Sequence, residues 1–231
     1  MHKLRIAEIF ASVQGEGQWT GVPSVFVRVS GCNLRCVWCD TPYASWTPEG
    51  PTLDLNEIES QVCRFGITHV VLTGGEPMLF DAIEPLAAML KDAGRTITIE
   101  TAGTVYRDLA CDLMSISPKL ANSAPGRETG QQERHEGTRY QPEVVRRLIQ
   151  TYPYQLKFVV NPEQGDDLSE IEALLAGYGA VEPQRVLLMP EGTDSDTLLR
   201  RARMLVQPCM LRNWRLTTRL HIDLFGNTKG T

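Results

Sequence analysis

No apolar run in this sequence comes near the ~20 residues that a membrane-spanning helix needs. Basic residues are not in excess either, and the net charge of -5 leaves no basic face for gripping nucleic acid phosphates. The first ten residues include two early basic side chains but no apolar core and no small-residue cleavage site. They do not read as a secretion signal, and the cytoplasm is the expected location. No segment repeats and none is of low complexity. Cysteine is sparse, with six residues at positions 32, 36, 39, 63, 111 and 209. In a chain of this size without a signal, they are not expected to form a disulfide framework. What is plentiful is core material. Hydrophobic residues make up 42% and charged residues 22% of 231, enough for one packed domain spanning residues 1–231.

Apolar runs rich in β-branched residues predict strands at 24–30, 69–73, 96–100, 112–117, 155–160, 185–189 and near 215–221. Helical spacing separates them. Leu55, Ile58, Val62 and Phe65 share one face, as do Ile83, Leu86, Ala87 and Leu90 before Gly94. Pro142 opens a helix with Val145, Leu148 and Ile149 inward. Leu168, Ile171 and Leu175 mark another, and Leu198, Ala202 and Leu205 one more. The alternation predicts an α/β fold, a partial (β/α) barrel of about six mainly parallel strands. Function in such sheets sits at the C-terminal strand ends. The stretches 31–39, 73–77, 100–101, 117–119 and 190–192 all fall there. The polar, glycine-containing stretch 120–140 reads as a surface loop, either a lid or a merely mobile segment.

Cys32, Cys36 and Cys39 form a CxxxCxxC cluster. Three thiolates on one short loop suit three irons of a 4Fe–4S cube, with the fourth iron left open for a ligand. S-adenosylmethionine can chelate such an iron and, after electron transfer, release a 5′-deoxyadenosyl radical. A structural zinc site is the competing reading, although zinc normally takes four protein ligands and no fourth cysteine is near. Leu72 to Pro77 supplies a second element, Gly-Gly-Glu-Pro at a strand end. Its glycines either allow close backbone approach to a ligand or make a tight turn.

With Trp38 preceding the third cysteine, this pattern resembles the radical S-adenosylmethionine superfamily. The stretches 8–17, 21–28, 39–41, 73–78, 99–101 and 116–119 narrow the resemblance to the 7-carboxy-7-deazaguanine synthases, along most of the chain. The resemblance implies ring contraction of 6-carboxy-5,6,7,8-tetrahydropterin with loss of ammonia, on the route to queuosine and other 7-deazapurines. It also implies Mg2+, a homodimer and an external electron donor such as a flavodoxin. Carried over by position, Val13, Gln14, Gly15, Glu16, Arg28, Thr73 and His221 are expected to meet the substrate. Trp38, Gly75, Ser117, Pro118 and Lys119 are expected to meet S-adenosylmethionine, and Thr41 a magnesium ion.

Several of these positions keep a plainer alternative. Trp38 suits an adenine neighbour or a hydrophobic plug. Arg28 lies on an apolar strand and needs a partner, either the substrate carboxylate or an internal acid. Thr41 could cap a turn, and a lone histidine such as His221 is more often structural. The segment 189–192 lies where a further cofactor contact is expected. Arg219 stands where family members often have glutamine, a departure that leaves the hydrogen bonding around His221 open. The tail 225–231 is expected to fold back over the site, with fraying as the alternative. A glycyl-radical enzyme activase would share the cysteine spacing but needs a broad protein-docking surface. A zinc-stabilised binding module would carry no chemistry at all.

Overall fold

The computed structural model describes residues 2–231. In chain order the elements are β1 (Lys3–Val13), β2 (Pro23–Val29), α1 (Pro42–Ser45), β3 (Thr52–Asp54), α2 (Leu55–Arg64), β4 (His69–Gly74), α3 (Ile83–Asp92), β5 (Thr96–Thr101) and β6 (Leu113–Ile116). They continue with α4 (Gln132–Arg139), α5 (Pro142–Thr151), β7 (Tyr154–Val160), α6 (Asp167–Tyr178), β8 (Val186–Pro190), α7 (Ser195–Arg212), β9 (Arg215–Leu216) and α8 (Leu220–Phe225). One nine-stranded sheet runs β3-β1-β2-β4-β5-β6-β7-β8-β9. From β2 through β4 to β9 each neighbouring pair is parallel, while β1 pairs antiparallel with both β2 and β3. The sheet is open, as expected of a partial barrel, and β1 and β3, which are not among the expected strands, extend one edge of it.

Strand periodicity decides what faces where. Val25, Val27 and Val29 of β2, Val70 and Leu72 of β4, and Ile97 and Ile99 of β5 pack outward into the main core under the helices. Leu156 and Phe158 of β7 and Val186 and Leu188 of β8 do the same. The intervening residues point inward, and Phe26, Arg28, Thr73, Glu100, Ser115, Lys157, Val159 and Met189 all line one interior cavity. The expected helical faces are largely present. Ile58 and Val62 of α2, and Ile83, Leu86, Ala87 and Leu90 of α3, are fully buried. Phe65 instead lies beyond the last turn of α2 and is 42% exposed. A capping box starts α2, with Asp54 accepting from the Glu57 amide and Glu57 from the Asp54 amide.

Two expectations need correction. The last strand stops at Leu216. Thr217 N still donates to Leu188 O at 3.0 Å, but Leu220 N is taken by Gly15 O at 2.9 Å. Having left the ladder, the chain closes into α8, so His221 sits on a helix and not a strand. The stretch 120–140 is not a plain loop. It forms short 3-10 turns at Ala121–Ser123 and Arg127–Thr129 followed by α4. Its polarity hid the helix, whose one buried residue is His135.

The barrel gap is bridged by the turn after β1. Gly15 O accepts from Leu220 N, Gly17 N donates to Thr217 Oγ1 at 2.7 Å, and Gln18 N donates to Gln155 Oε1 at 2.9 Å. First and last strands are thereby tied around the cavity.

Candidate active site

A cavity of about 550 Å³ opens at the C-terminal ends of the strands, within the size range of small-molecule and cofactor sites. Every residue that the sequence marked for substrate, S-adenosylmethionine, cluster or magnesium lines it except Pro118. Pro118 is buried behind its neighbours. Alternation along the extended chain after β6 turns Ser117 and Lys119 to the cavity and the proline ring away.

The cysteine loop follows β2. Cys32, Cys36 and Cys39 all border the cavity, beside the small apolar cluster of Leu34, Cys36 and Ala102. All six cysteines of the chain are free thiols. Burial pushes the Cys32 thiol up to about 12 and the Cys36 thiol up to about 11, so these sulfurs do not ionise without a cationic centre to hold them. Among the described residues no group of three or more His, Cys, Asp or Glu side chains converges on a single-ion position. A cube offers each thiolate its own iron and does not require convergence on one point, so the loop fits a cluster better than zinc.

The loop is held from several sides. Gly31 N donates to Ala44 O at 2.8 Å, and Trp46 Nε1 to Cys36 O at 3.0 Å. Ser45 Oγ lies 3.1 Å from Cys39 Sγ. Gly75 is a packing glycine, since a Cβ there would lie 2.2 Å from Gly31 O and 2.6 Å from Ala44 O. Gly75 N and Glu76 N are spent on Val29 O and Gly31 O. The Gly-Gly-Glu-Pro turn therefore presses β4 against the cysteine loop, and the Gly75 and Glu76 amides are not free to grip a ligand. Glu76 is structural too. Its carboxylate takes Met78 N at 3.0 Å, Thr101 Oγ1 at 2.8 Å and Ala102 N at 2.7 Å, joining the ends of β4 and β5.

On the opposite wall the charges are interlinked. Glu16 accepts from Lys157 and, at 3.1 Å, from Arg219 Nε. Arg219 also pairs with Asp40 and donates to Gly192 O at 2.7 Å. Glu100 receives Thr73 Oγ1 at 2.9 Å and Gln14 Nε2 at 3.2 Å, with Lys157 Nζ at 3.9 Å. Gln14 Oε1 is already taken by Glu16 N at 3.0 Å. Burial disfavours the Glu16 charge, but Lys157, Arg219 and His221 outweigh it and hold the carboxyl well below its ordinary range. In this network Glu16, Glu100 and Asp40 outnumber Lys157 and Arg219 by one negative charge.

Of the two partners that the sequence left open for Arg28, the structure supplies the internal acid. Arg28 Nε donates to Glu8 Oε1 at 2.6 Å, and Glu8 also receives Tyr43 OH at 2.7 Å. Neither Nη of Arg28 has a hydrogen-bond partner among the described residues, and the side chain lines the cavity. Nearby, Thr41 also borders the cavity, with its hydroxyl 3.8 Å from Cys39 Sγ. Its neighbour Asp40 is committed to Arg219, so a magnesium ion held here would have one hydroxyl from these two residues and would need substrate and water for its remaining positions.

Lys119 Nζ turns back onto Ser117 O at 2.6 Å and Ser117 Oγ at 2.8 Å, and lies 5.8 Å from the Trp38 ring centroid. Met189, Glu191 and Gly192 line the cavity, as do residues 227–231 of the tail. Lys229 fastens that tail by pairing with Glu49, with its Nζ 4.3 Å from the Tyr43 ring centroid.

The model of the radical SAM superfamily matches residues 26–155. A 7-carboxy-7-deazaguanine synthase from Rhodopirellula baltica is 42% identical over 99% of this chain and 89% of its own length. One from Halobacterium salinarum is also 42% identical, over 99% of this chain and 93% of its own. The chain belongs to the 7-carboxy-7-deazaguanine synthase family of the radical SAM superfamily. The crystal structure of QueE from Escherichia coli matches with a TM-score of 0.74 at 27% identity, covering 95% of each chain.

Within that family frame, Lys157, Asp40 and Glu8 line the cavity with no role assigned to them from the sequence, and Glu100 is marked there only by its strand-end position. Two of them carried a signal. Lys157 lies between Leu156 and Phe158, and Glu100 follows Ile99. A charge interrupting an apolar strand is the feature that drew attention to Arg28.

Proposed function

We propose that the chain converts 6-carboxy-5,6,7,8-tetrahydropterin to 7-carboxy-7-deazaguanine with release of ammonia. The observation that carries this reading is the shared cavity. Cys32, Cys36 and Cys39 border the same space as the free guanidinium edge of Arg28 and the acid network behind it. When bound, the cluster and S-adenosylmethionine together supply one-electron hydrogen-abstraction chemistry at the substrate ring.

The chain's residues bind and orient. The Nη edge of Arg28 takes the substrate carboxylate, with Nε pinned by Glu8 so that the plane is fixed before substrate arrives. The pterin's ring N–H and amino groups are donors, and the carboxylates of Glu16 and Glu100 are acceptors. Thr73 and Gln14 fix Glu100, while Lys157 and Arg219 fix Glu16. Gly75, which the family resemblance places at S-adenosylmethionine, has its amide spent on Val29 O, so its carbonyl, unpartnered among the described residues, is the group it would offer the ammonium. Ser117, Lys119 and Trp38 form the adjoining wall for the rest of that cofactor. His221 and the tail 227–231 exclude water. Thr41 would hold a magnesium ion through its hydroxyl, and the ion would help orient the substrate.

An external one-electron donor such as a flavodoxin is required, and the cytoplasm is the setting. A homodimer is supported by the apolar side chains that α7 exposes, Met210 at 77% and Leu211 at 74%. The cavity, recessed at the strand ends and partly lined by the tail, suits a bicyclic molecule better than a protein segment, which disfavours the activase reading.

The test is anaerobic reconstitution with iron and sulfide, then incubation with the pterin, S-adenosylmethionine and reductant. A product with the mass and absorbance of 7-carboxy-7-deazaguanine is expected. Iron binding without such a product would refute the substrate assignment. A colourless zinc protein would refute the cluster.

A further inference from the structure

The helix α4 has little reason to exist as packing. Glu133, Arg134, Glu136 and Gly137 are exposed, and the single buried residue of the helix is His135, 1% exposed. A helix that buries one histidine and no apolar side chain gains little from the hydrophobic effect. What it gains lies in the bonds of that histidine.

His135 Nδ1 accepts the backbone N–H of Arg35 at 3.1 Å. His135 Nε2 lies 2.9 Å from Ser123 Oγ, which donates in turn to Leu120 O at 2.6 Å. Backbone groups fix every proton in this relay. The Arg35 amide can only donate, so Nδ1 carries no proton. The Leu120 carbonyl can only accept, so the Ser123 hydroxyl points to it and accepts from the Nε2 proton. The neutral Nε2–H imidazole is thus selected from both ends.

Arg35 lies between the first two cluster cysteines. Two further donors of the same loop end on the same segment. Val37 N donates to Ser123 O at 2.9 Å, and Trp38 Nε1 donates to Asn122 O at 3.1 Å. The other end of α4 is anchored by Arg139, which donates to Lys119 O at 3.1 Å and Glu170 Oε1 at 2.8 Å.

We propose that His135 is a positioning residue for the cluster: through the Arg35 amide it holds the span from Cys32 to Cys36 in its ligating shape before iron arrives. The helix α4 is the strut that presents it. This rests on the reading of Cys32, Cys36 and Cys39 as cluster ligands. The first measurement needs no cluster, so the two can fail separately.

The experiment compares His135→Ala, His135→Asn and His135→Gln with the parent. An Asn oxygen falls where Nδ1 lies and can take the Arg35 amide. A Gln reaches the Ser123 side and leaves that amide bare. Amide hydrogen exchange at Arg35 and Val37 is measured in the cluster-free protein, and iron loss to a chelator in the reconstituted protein. His135→Ala should speed exchange at Arg35 by about tenfold, as loss of one net hydrogen bond implies. His135→Asn should restore slow exchange and slow iron loss, and His135→Gln should restore neither. Unchanged exchange in His135→Ala would overturn the proposal. So would equal behaviour of the Asn and Gln variants, which would reduce His135 to a filler of space. If the Ala variant fails to fold, the Asn–Gln comparison still decides. A parent protein that binds no iron would sink the cluster reading and leave the exchange result standing.

Discussion

Gly15 and His221 meet so closely that a Cβ at position 15 would lie 2.0 Å from the imidazole Nδ1 and 3.0 Å from the His221 amide nitrogen. The contact is two-sided, because Gly15 O also accepts from Leu220 N at the start of α8. Absence of a side chain at 15 is what lets the turn after β1 and the first turn of α8 share the rim. Gly15→Ala should keep the fold by circular dichroism and lose about 100-fold in turnover, the scale expected when a site group is displaced by about an ångström. If the loss acts through His221, adding Gly15→Ala to His221→Ala should cost little more. Additive losses in the double variant would show that Gly15 acts by another route.

Lys157 is 6% exposed at its side chain and lies between Glu16 and Glu100. Removing one partner of a buried pair strands the other charge, at a cost of about 3 to 5 kcal/mol. Arg219 still serves Glu16, so Lys157→Met should fall at the low end, measured as a reduced urea midpoint in the cluster-free protein. Adding Glu16→Gln should recover part of that loss. A double variant no more stable than Lys157→Met alone would mean that the lysine does not act through Glu16.

The inward polar row is partly legible in the chain's residue order. Arg28 stands out because a cation interrupts Val25, Phe26, Val27 and Val29, and the same logic extends to Lys157 and Glu100. Arg219 is not legible as a site residue. Its partners Glu16 and Asp40 lie 203 and 179 positions away, and the pattern around it is that of a strand. Its place is set by chain closure across the barrel gap, which no local pattern encodes. His135 is hidden for the opposite reason, since nothing apolar surrounds it to give α4 a periodic face. The helical faces of α3 and α7 are clear because burial there repeats with the helical period.

Arg28 offers its two terminal nitrogens to the cavity while Glu8 holds Nε. Hydrogen bonds to charged groups contribute about 1.5 to 3 kcal/mol. Arg28→Ala should therefore weaken pterin binding by about 10- to 150-fold in titration, with iron content and S-adenosylmethionine binding retained. Loss of iron in this variant would place Arg28 among the supports of the cysteine loop.

On the proposed reading Thr41 would give a magnesium ion one hydroxyl, Asp40 being already paired with Arg219. Such a site would fill only when substrate supplies oxygens. Thr41→Ala should keep its iron and lose the stimulation of turnover by added Mg2+, while Thr41→Ser should retain it. Equal stimulation of all three proteins would remove Thr41 from the metal's shell.

His69 lies at the opposite ends of the strands, 2.7 Å from Ser24 Oγ and 2.8 Å from Thr98 Oγ1. It is 5% exposed, and burial depresses its pKa below the ordinary value of about 6.5. In the unfolded chain His69 takes up a proton as pH falls through that value, whereas the folded chain resists. The unfolded state then binds more protons, so stability is intact above pH ~6.5 and declines below it, by up to about 1.4 kcal/mol per pH unit for this one group. His135 and His221 are shifted in the same direction, again chiefly by burial. Glu16 and Asp40, also depressed, add their share only in more acid solution, near their own unfolded values. The melting temperature of the cluster-free protein should be level from pH 8 to about 6.5 and fall from there to pH 5. His69→Gln should start lower at pH 8 and fall less steeply. Parallel curves for variant and parent would mean that His69 is not among the groups that set the slope.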